Sequence, residues 1–219
     1  TSHRYVSKRA CEFLGRDPKT TKMITCHIGN GGSISAIEGG KCVDTSMGLT
    51  PTEGLMMGTR VGDVDPGALV YLMERTGIDA IGLQRVINKE SGVLGISGIS
   101  NDMRDIEDGI AKGNERARLA MDMYEYRILK YIGAYTAVLN GVDVIVFTGG
   151  VGENQTGTRE MICKHLSYLG VTLDEEANKT RGKEIVISGK DSKVTVVVIP
   201  TDEELMIAED TAAIVGEKC

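Results

Sequence analysis

The stretch 142–154, VDVIVFTGGVGEN, most constrains the fold of this chain. Its Val/Ile/Phe run predicts a strand over Val144–Thr148. A continuous apolar run bounded by glycines is typical of a strand covered on both faces, as in a parallel sheet. Three glycines then remove the β-carbons where the strand ends, so a flat ligand could approach the backbone there. A helix expected to open near Asn154 would add free amides and a partial positive charge. The stretch therefore predicts a nucleotide site at a strand end.

The remaining chain predicts an α/β fold around that strand. Three β segments separated by Asn- and Gly-rich turns predict a β-meander, and strands then alternate with helices. This order predicts a mixed sheet in which parallel strands extend three antiparallel ones, with helices packed on its faces. The early strands are expected at 22–28, 33–38 and 41–46, and the late ones at 184–188 and 193–199. Helices are expected at 2–14, 67–75, 79–89, from Ser100 or Asn101 to 111, 115–140, 154–169 and 205–216, with Ser2 as an N-cap and a loop before Ser100.

Composition excludes several classes of function. The chain has 219 residues, 41% of them hydrophobic, which is enough to fill a core, and its net charge is −6. An acidic balance argues against a nucleic-acid or membrane-surface partner. The five cysteines form no CxxC pair and are expected to be free thiols in a reducing cytoplasm. Because the chain opens at Thr1 without a methionine, we expect it to be a piece of a longer protein.

An acidic protein that binds phosphate needs backbone amides and a few well-placed cations. The turn at 26–33, CHIGNGGS, exposes successive amides, although an ordinary tight turn would look the same. His27 is open to two interpretations, a satisfied core residue or a donor to phosphate. Arg60 lies in a glycine-rich segment without periodicity, and these surroundings favour a role on a transferring phosphoryl group over a solvated surface arginine.

Three further segments are candidates for nucleotide contact. Asp102, Met103 and Arg104 follow a cap sequence and could meet a ribose or adenine, or simply cap a helix. The loop at Gly149–Asn154 lacks the full dinucleotide pattern, and no GxxxxGK[ST] sequence is present. The acids at 202–204 are ordinary partners of a helix dipole, yet a carboxylate at a strand end is also a ligand that Mg²⁺ accepts.

Several long motifs together resemble those of acetate kinases. They are TSHRYV, CHIGNGGSISAI, DTSMGLTPTEGLMMGTRVGDVDPG, SGVLGISGISNDMRD, VFTGGVGEN and IPTDEELMIAEDT. The family belongs to the superfamily of sugar kinases, heat-shock chaperones and actin, with a ribonuclease H-like βββαβαβα core. Its members have two duplicated domains, and residues 1–219 resemble the C-terminal, nucleotide-binding domain only.

The resemblance implies a role for each matching residue. Arg60 would be the transition-state arginine, and Glu203 would be a ligand of Mg²⁺. The ATP phosphates would contact His27, Ile28, Gly29, Asn30 and Gly31. The adenosine would lie near Asp102, Met103, Arg104, Gly150, Val151, Gly152, Glu153 and Asn154. The reaction would be reversible phosphoryl transfer between ATP and acetate, which gives ADP and acetyl phosphate.

The resemblance also implies a homodimer formed through this domain. The tyrosines of the long helix, Tyr124, Tyr126, Tyr131 and Tyr135, are expected to face the core or a partner. Because the family's first phosphate loop, acetate-binding arginine and catalytic aspartate would precede Thr1, we expect the 219 residues to be inactive alone. Two alternatives stay open, namely a non-catalytic nucleotide-binding or dimerisation module and a propionate or butyrate kinase.

Overall fold

The computed structural model describes residues 1–216, which form one six-stranded sheet and ten α-helices. The strands are β1 (Lys22–Ile28), β2 (Gly32–Glu38), β3 (Lys41–Thr45), β4 (Val144–Thr148), β5 (Ile185–Val186) and β6 (Thr195–Val198). The helices are α1 (Ser2–Leu14), α2 (Pro66–Thr76), α3 (Ala80–Lys89), α4 (Gly92–Ser97), α5 (Met103–Ala111), α6 (Glu115–Val138), α7 (Gly149–Asn154), α8 (Thr156–His165), α9 (Glu175–Asn178) and α10 (Glu203–Gly216).

The sheet is mixed, as the sequence predicts, with strand order β3-β2-β1-β4-β6-β5. Strand β4 lies between β1 and β6 and is parallel to both, with Thr148 opposite His27 and Phe147 opposite Val198. Strand β5 adds an antiparallel edge beside β6. Because β1, β4 and β6 run in one direction, their carboxyl ends meet at one edge of the sheet, where α/β proteins bind ligands.

The chain divides into two compact units. The first comprises Thr1–His27, Ser35–Asp44 and Tyr135–Cys219, and the second comprises Ile28–Ile34 and Thr45–Ala134. In the first unit every residue of β4 is buried. One face of the sheet packs against α1, where Val6 and Ala10 meet Val144 and Val146 in one apolar cluster. The side chains that alternate with these, such as Phe147, are also fully buried, so both faces of the central strand are covered.

The second unit buries the glycine-rich segment from which no regular structure was predicted. Residues 47–65 contain no helix or strand, yet Leu55, Met56 and Met57 are almost completely buried. Ile106 of α5 and Ile128 of α6 are buried in the same unit. The segment is therefore a fixed part of this unit, and the apolar run LMM supplies the side chains that anchor it.

The structure corrects three predictions of local structure. Residues 91–97 were expected to be loop, but Gly92–Ser97 form α4, which is followed by Gly98 with the left-handed φ of 69° that favours glycine. The cap of α5 is Asp102, whose carboxylate accepts a hydrogen bond from the amide of Arg104, and not Ser100 or Asn101. The expected loop at Gly149–Asn154 is α7, which follows β4 directly. For α4 and α7, counting glycines as helix breakers misplaced the boundary.

Other boundaries shift by small amounts. Thr1, not Ser2, stands at the N-cap position of α1, and the hydroxyl of Ser2 contacts other residues. Helix α6 ends at Val138, and Asn140 with φ 51° and Gly141 with φ 110° then turn the chain. Strand β5 contains two residues where five were expected.

The expectation of free thiols can be compared with the described residues. Cys11, Cys26, Cys42 and Cys163 are free, as expected, and Cys219 lies outside the described residues. Within residues 1–216 no helix is both long enough and apolar enough to cross a membrane.

Candidate functional site

In the first unit the site is built at the carboxyl edge of the three parallel strands. His27 lies near the end of β1, Thr148 is the last residue of β4, and Thr201 follows β6 by three positions. The parallel register places His27 directly opposite Thr148. The sheet therefore brings together residues that are more than 50 positions apart in sequence.

The carboxylate of Glu153 links the ends of β4 and β6. Its Oε1 atom accepts hydrogen bonds from the amide of Gly149 at 2.9 Å, from the amide of Thr201 at 3.2 Å and from the hydroxyl of Thr148 at 3.5 Å. The first of these amides belongs to the opening turn of α7, where a negative charge is favourable. Glu153, expected beside the nucleotide, thus connects α7 to the segment that leads to Glu203.

A second link joins the ends of β1 and β6 through helix α1. The hydroxyl of Ser2 lies 2.7 Å from Nδ1 of His27 and 2.8 Å from the hydroxyl of Thr201. Burial lowers the pKa of His27 below its ordinary value, and the carboxylates of Glu203 and Glu153 partly oppose that shift. His27 is therefore a half-buried imidazole that two nearby carboxylates influence.

A neighbouring histidine makes the stability of the first unit sensitive to pH. Burial, and secondarily the adjacent His27, lowers the pKa of His3 from 6.5 to about 4, and its Nδ1 atom lies 2.7 Å from the hydroxyl of Thr25. As the pH falls below 6.5 the unfolded chain binds this proton first. The stability linked to His3 is therefore complete above that pH and decreases toward pH 4 by about 1.4 kcal/mol per unit.

This prediction is checked by urea unfolding at several pH values between 7.5 and 4.5. These values cover most of the interval between pH 6.5 and about 4 in which the unfolded chain binds the proton of His3 first. The variant His3→Gln is expected to lose less stability than the wild type across the interval, because glutamine does not titrate. His165→Gln is the matched control, since the side chain of His165 on helix α8 is exposed, and it should keep the wild-type slope. Parallel slopes for the wild type and His3→Gln would contradict the prediction.

Glu203 is the residue that the resemblance suggests as a ligand of Mg²⁺. It is exposed at the first residue of α10, just beyond β6, and its charge acts on His27. Among the described residues no group of three or more His, Cys, Asp or Glu side chains could hold a metal ion. Mg²⁺ usually takes one or two carboxylates and completes its shell with phosphate and water, so a single exposed glutamate fits this ion.

In the second unit the turn after β1 meets the segment that carries Arg60. The carbonyl of Asn30 accepts a hydrogen bond from the amide of Gly58 at 2.9 Å, and Oδ1 of Asn30 accepts one from Asn101 at 2.9 Å. A β-carbon on Gly31 would lie 3.3 Å from Nη1 of Arg60. Three predicted segments, the turn, the arginine and the start of α5, are therefore adjacent within this unit.

The guanidinium of Arg60 is held by its own segment. Its Nη1 atom donates to the carbonyl of Pro51 at 3.2 Å and lies 3.4 Å from the sulfur of Met57. No ion pair joins it to a carboxylate within residues 1–216. An arginine with an unneutralised charge suits an anionic ligand.

Asp63 fixes the segment that carries Arg60 to helix α6. Its carboxylate accepts hydrogen bonds from the amide of Gly54 at 2.9 Å and from the hydroxyl of Tyr131 at 2.8 Å. Arg127 also donates to the carbonyl of Asp63 at 3.0 Å. Asp63 was not among the predicted site residues. Its position between glycine and valine inside a quoted motif was the one feature of the sequence that could have indicated it.

The remaining predicted residues differ in what their side chains can contact. Asp102 caps α5 and binds the guanidinium of Arg104, and that side-chain bond, with the Arg104 amide, lowers the pKa of Asp102 to about 2. The side chains of Ile28, Met103 and Val151 are buried, so they could offer a ligand mainly their backbone groups.

Arg159 is a residue that sequence analysis did not single out. It is completely buried, and its guanidinium donates to carbonyl oxygens of Gly152, Glu153, Asn178 and Thr180 at 2.6–2.9 Å. Burial lowers the pKa of this side chain to about 10. Arg159 therefore holds the carboxyl end of α7, and nothing in its sequence surroundings distinguishes it from a surface arginine.

The first unit also contains a cavity of about 460 Å³ against α1. Ser7, Cys11 and Met23 are among the residues that line it, and none of the predicted site residues does. The sheet edge, where those residues meet, is therefore the candidate site of the first unit.

Comparison with known proteins supports the resemblance seen in the motifs. The model of the Acetokinase family matches residues 1–209. The acetate kinase of Phocaeicola vulgatus is 64% identical over 217 residues, which are 99% of this chain and 54% of that protein. The acetate kinase of Clostridioides difficile is 59% identical over 215 residues, which are 98% of this chain and 54% of that protein.

Solved structures show the same fold. The crystal structure of Porphyromonas gingivalis acetate kinase, 62% identical, matches with a TM-score of 0.95 over 98% of this chain and 54% of that one. A propionate kinase from Francisella tularensis, 42% identical, matches with a TM-score of 0.87 over 94% of this chain and 52% of that one. The expected fold class, a mixed sheet with helices of the actin-like type, is confirmed.

The chain spans about half the length of the relatives that it matches. The family match nevertheless covers nearly all of its residues, including every motif quoted above except the last two residues of IPTDEELMIAEDT. This chain belongs to the acetokinase family.

Proposed function

We propose that the chain is the nucleotide-binding half of a kinase that transfers a phosphoryl group reversibly between ATP and acetate. The products in the forward direction are ADP and acetyl phosphate. The observation that carries this proposal is the convergence of His27, Glu153 and Thr201 at the carboxyl ends of three parallel strands. Thr201 lies two residues before Glu203 in the sequence. Relatives named acetate kinase, up to 64% identical, support the substrate.

Within this proposal each residue set has a defined task. His27 and the turn that ends at Gly31 donate hydrogen bonds to phosphate oxygens. Arg60 stabilises the charge of the phosphoryl group in flight, because a guanidinium fork matches its oxygens. Asp102–Arg104 and the α7 residues from Gly150 to Asn154 contact the adenosine.

Glu203 would hold Mg²⁺ together with phosphate oxygens and water. The metal neutralises charge on the phosphates when it is bound. The chain's own contribution is to hold the Glu203 segment in place, since Glu153 bonds the amide of Thr201 and Ser2 bonds its hydroxyl. Positioning and charge neutralisation are the main sources of rate in phosphoryl transfer.

The alternative with a specific observation behind it is a propionate kinase. The Francisella tularensis structure that matches this chain with a TM-score of 0.87 is described as a propionate kinase. Steady-state assays with acetate, propionate and butyrate, on a full-length enzyme that carries this chain, would rank the three acyl substrates. A non-catalytic nucleotide-binding module is the other alternative. It would show no turnover in these assays but would bind nucleotide in a titration.

We also propose a cytoplasmic homodimer that forms through this domain, without nucleic-acid or membrane partners. The second unit supports a protein partner, because α2 and α3 contain no buried residue and expose Val70, Tyr71 and Ile81. Tyr126 is also exposed, whereas Tyr124 and Tyr135 are in the core. Sedimentation of the protein with and without Tyr71→Glu and Ile81→Glu would test whether this surface joins two copies.

Titration of Mg-ADP into the protein tests the nucleotide and metal assignments together. The wild type is expected to bind, and Glu203→Ala to weaken Mg-dependent binding by at least roughly tenfold, since loss of even an outer partner of a metal ligand costs about 10–100-fold. Glu204→Ala, the adjacent exposed acid of the same helix turn, is the matched control and should bind as the wild type does. An equal effect of both substitutions would contradict the metal assignment, and absence of binding by the wild type would contradict the nucleotide assignment.

A further inference from the structure

The imidazole of His27 is bonded to the protein through one nitrogen only. Nδ1 lies 2.7 Å from the hydroxyl of Ser2, and within residues 1–216 no protein group bonds Nε2. The ring is half-buried, so it is neither closed inside the core nor free to rotate in solvent. The contact with Ser2 therefore decides which nitrogen carries the proton when the ring is neutral.

The hydroxyl pair beyond His27 allows two arrangements of protons. In the first, Thr201 donates to Ser2 and Ser2 donates to Nδ1, which leaves the proton of the ring on Nε2. In the second, Nδ1 donates to Ser2 and Ser2 donates to Thr201 at 2.8 Å, which leaves a lone pair on Nε2. Both arrangements satisfy the same three atoms, so the charges around the ring must select between them.

The negative charges near the ring are the reason to expect the first arrangement. Glu203 and Glu153 both act on His27 electrostatically and raise its pKa against the effect of burial. A negative field attracts an N–H group and repels a lone pair. With the proton on Nε2, the free nitrogen becomes a donor suited to an anionic oxygen, and the ring needs no positive charge to act in this way.

Ser2 is free to serve this purpose because it does not cap its own helix. Thr1 occupies the N-cap position of α1, and no side-chain cap bond is made there. The side chain of Ser2 is buried, with 7% of its surface exposed, and both of its polar contacts lie on other segments of the chain. A buried hydroxyl with two distant partners is a fixed connection between strand ends.

We propose that Ser2 is a positioning residue that holds neutral His27 in its Nε2–H tautomer and so directs an N–H donor at a phosphoryl oxygen of the nucleotide. The proposal rests on the function proposed above, and it extends that function to a residue outside the phosphate-binding turn. It also gives Thr201 a role, since its hydroxyl supplies the hydrogen bond that orients the hydroxyl of Ser2.

The tautomer can be measured directly without any nucleotide. Histidine labelled with ¹⁵N in the ring shows, in long-range ¹H–¹⁵N spectra, which nitrogen carries the proton, and His27→Gln identifies the signals of that ring. At neutral pH the wild type is expected to show a protonated Nε2 and an unprotonated Nδ1. Ser2→Ala should give a mixture of the two tautomers. A protonated Nδ1 in the wild type, or an unchanged tautomer in Ser2→Ala, would overturn the proposal.

Binding of Mg-ADP provides the second readout. Ser2→Ala is expected to weaken it roughly tenfold, the size of one hydrogen bond to a charged group. Ser7→Ala is the matched control on the same helix, because among the described residues the hydroxyl of Ser7 bonds only the carbonyl of Arg4, and the change should alter neither the tautomer nor the affinity. Equal affinities of Ser2→Ala and the wild type would also overturn the proposal.

Two further results separate the proposal from the proposed function. If Ser2→Ala does not fold, Thr201→Val removes the outer hydroxyl of the same connection and should give the same mixture of tautomers, while an unchanged tautomer would count against the proposal. If the wild type shows the expected tautomer but does not bind Mg-ADP, the proposed function fails, and with it the role of the donor toward phosphate.

Discussion

Replacing Arg60 with alanine is expected to lower kcat by roughly 10³-fold or more while KM for ATP changes little, because an arginine that acts on a transferring phosphoryl group contributes about 10³–10⁵ to the rate. The guanidinium lies in a fixed segment beside the turn at Gly31, and no carboxylate neutralises it within the described part of the chain. Lysine keeps the charge but lacks the planar fork, so Arg60→Lys should recover only part of the rate.

Steady-state kinetics on a full-length enzyme that carries this chain would measure the effect. Arg75→Ala is the matched control, since Arg75 is an exposed arginine of the same unit that lies over the ring of Tyr71 and forms no ion pair within residues 1–216. The 219-residue chain assayed alone gives the baseline, because we expect it to lack turnover. A kcat for Arg60→Ala within a few-fold of the wild type would contradict the role assigned to Arg60. Turnover by the 219-residue chain alone would contradict the expectation that it is inactive.

Substitution of Gly92 by alanine is expected to destabilise the second unit by more than about 4 kcal/mol, a loss that only severe steric or burial defects produce. Gly92 has φ +62°, and an added β-carbon would lie 2.1 Å from the carbonyl oxygen of Met57 and 2.7 Å from that of Arg60. Both obstacles are backbone atoms of the segment that carries the predicted catalytic arginine, so no side-chain movement relieves the contact.

Gly77→Ala separates this clash from the strain of the backbone itself. Gly77 has a similar φ of +72°, but an added β-carbon would meet nothing within 4 Å. Its cost should therefore be only the roughly 1–2 kcal/mol of a left-handed residue that carries a side chain. Urea unfolding of both variants measures the difference. Equal losses of stability would show that the packing of Gly92 against the Arg60 segment is unimportant.

Much of the fold follows from local patterns in the sequence. The buried run at Val144–Thr148 and the Asn- and Gly-rich turns after β1 predicted the central strand and the meander, because alternation and turn chemistry are local. The helices that were missed, α4 and α7, contain two and three glycines among six residues, and their stability comes from burial rather than helix propensity. Helix propensity depends on the local sequence and does not indicate whether a segment will be buried.

Candidate site residues could be chosen from the sequence, but the contacts that connect them could not. His27, Arg60 and Glu203 stand in long motifs, so their resemblance to a family identified them. Ser2 and Asp63 bond to partners that are at least nine residues away in sequence, and such contacts exist only after the chain has folded. Ser2 looks like a helix cap, and Asp63 stands between glycine and valine. Neither sequence position indicates that its side chain bonds a distant segment.

The buried charge of Arg159 has a consequence for how an acidic protein meets an acidic ligand. All of its acceptors are carbonyl oxygens, so its positive charge is cancelled by no carboxylate in the described residues, although the whole chain carries −6. Salt screens a buried charge much less than a charge in solvent. If a polyphosphate binds as proposed, the charge beneath the carboxyl end of α7 would attract it, and ions of the surrounding solution would hardly weaken that attraction.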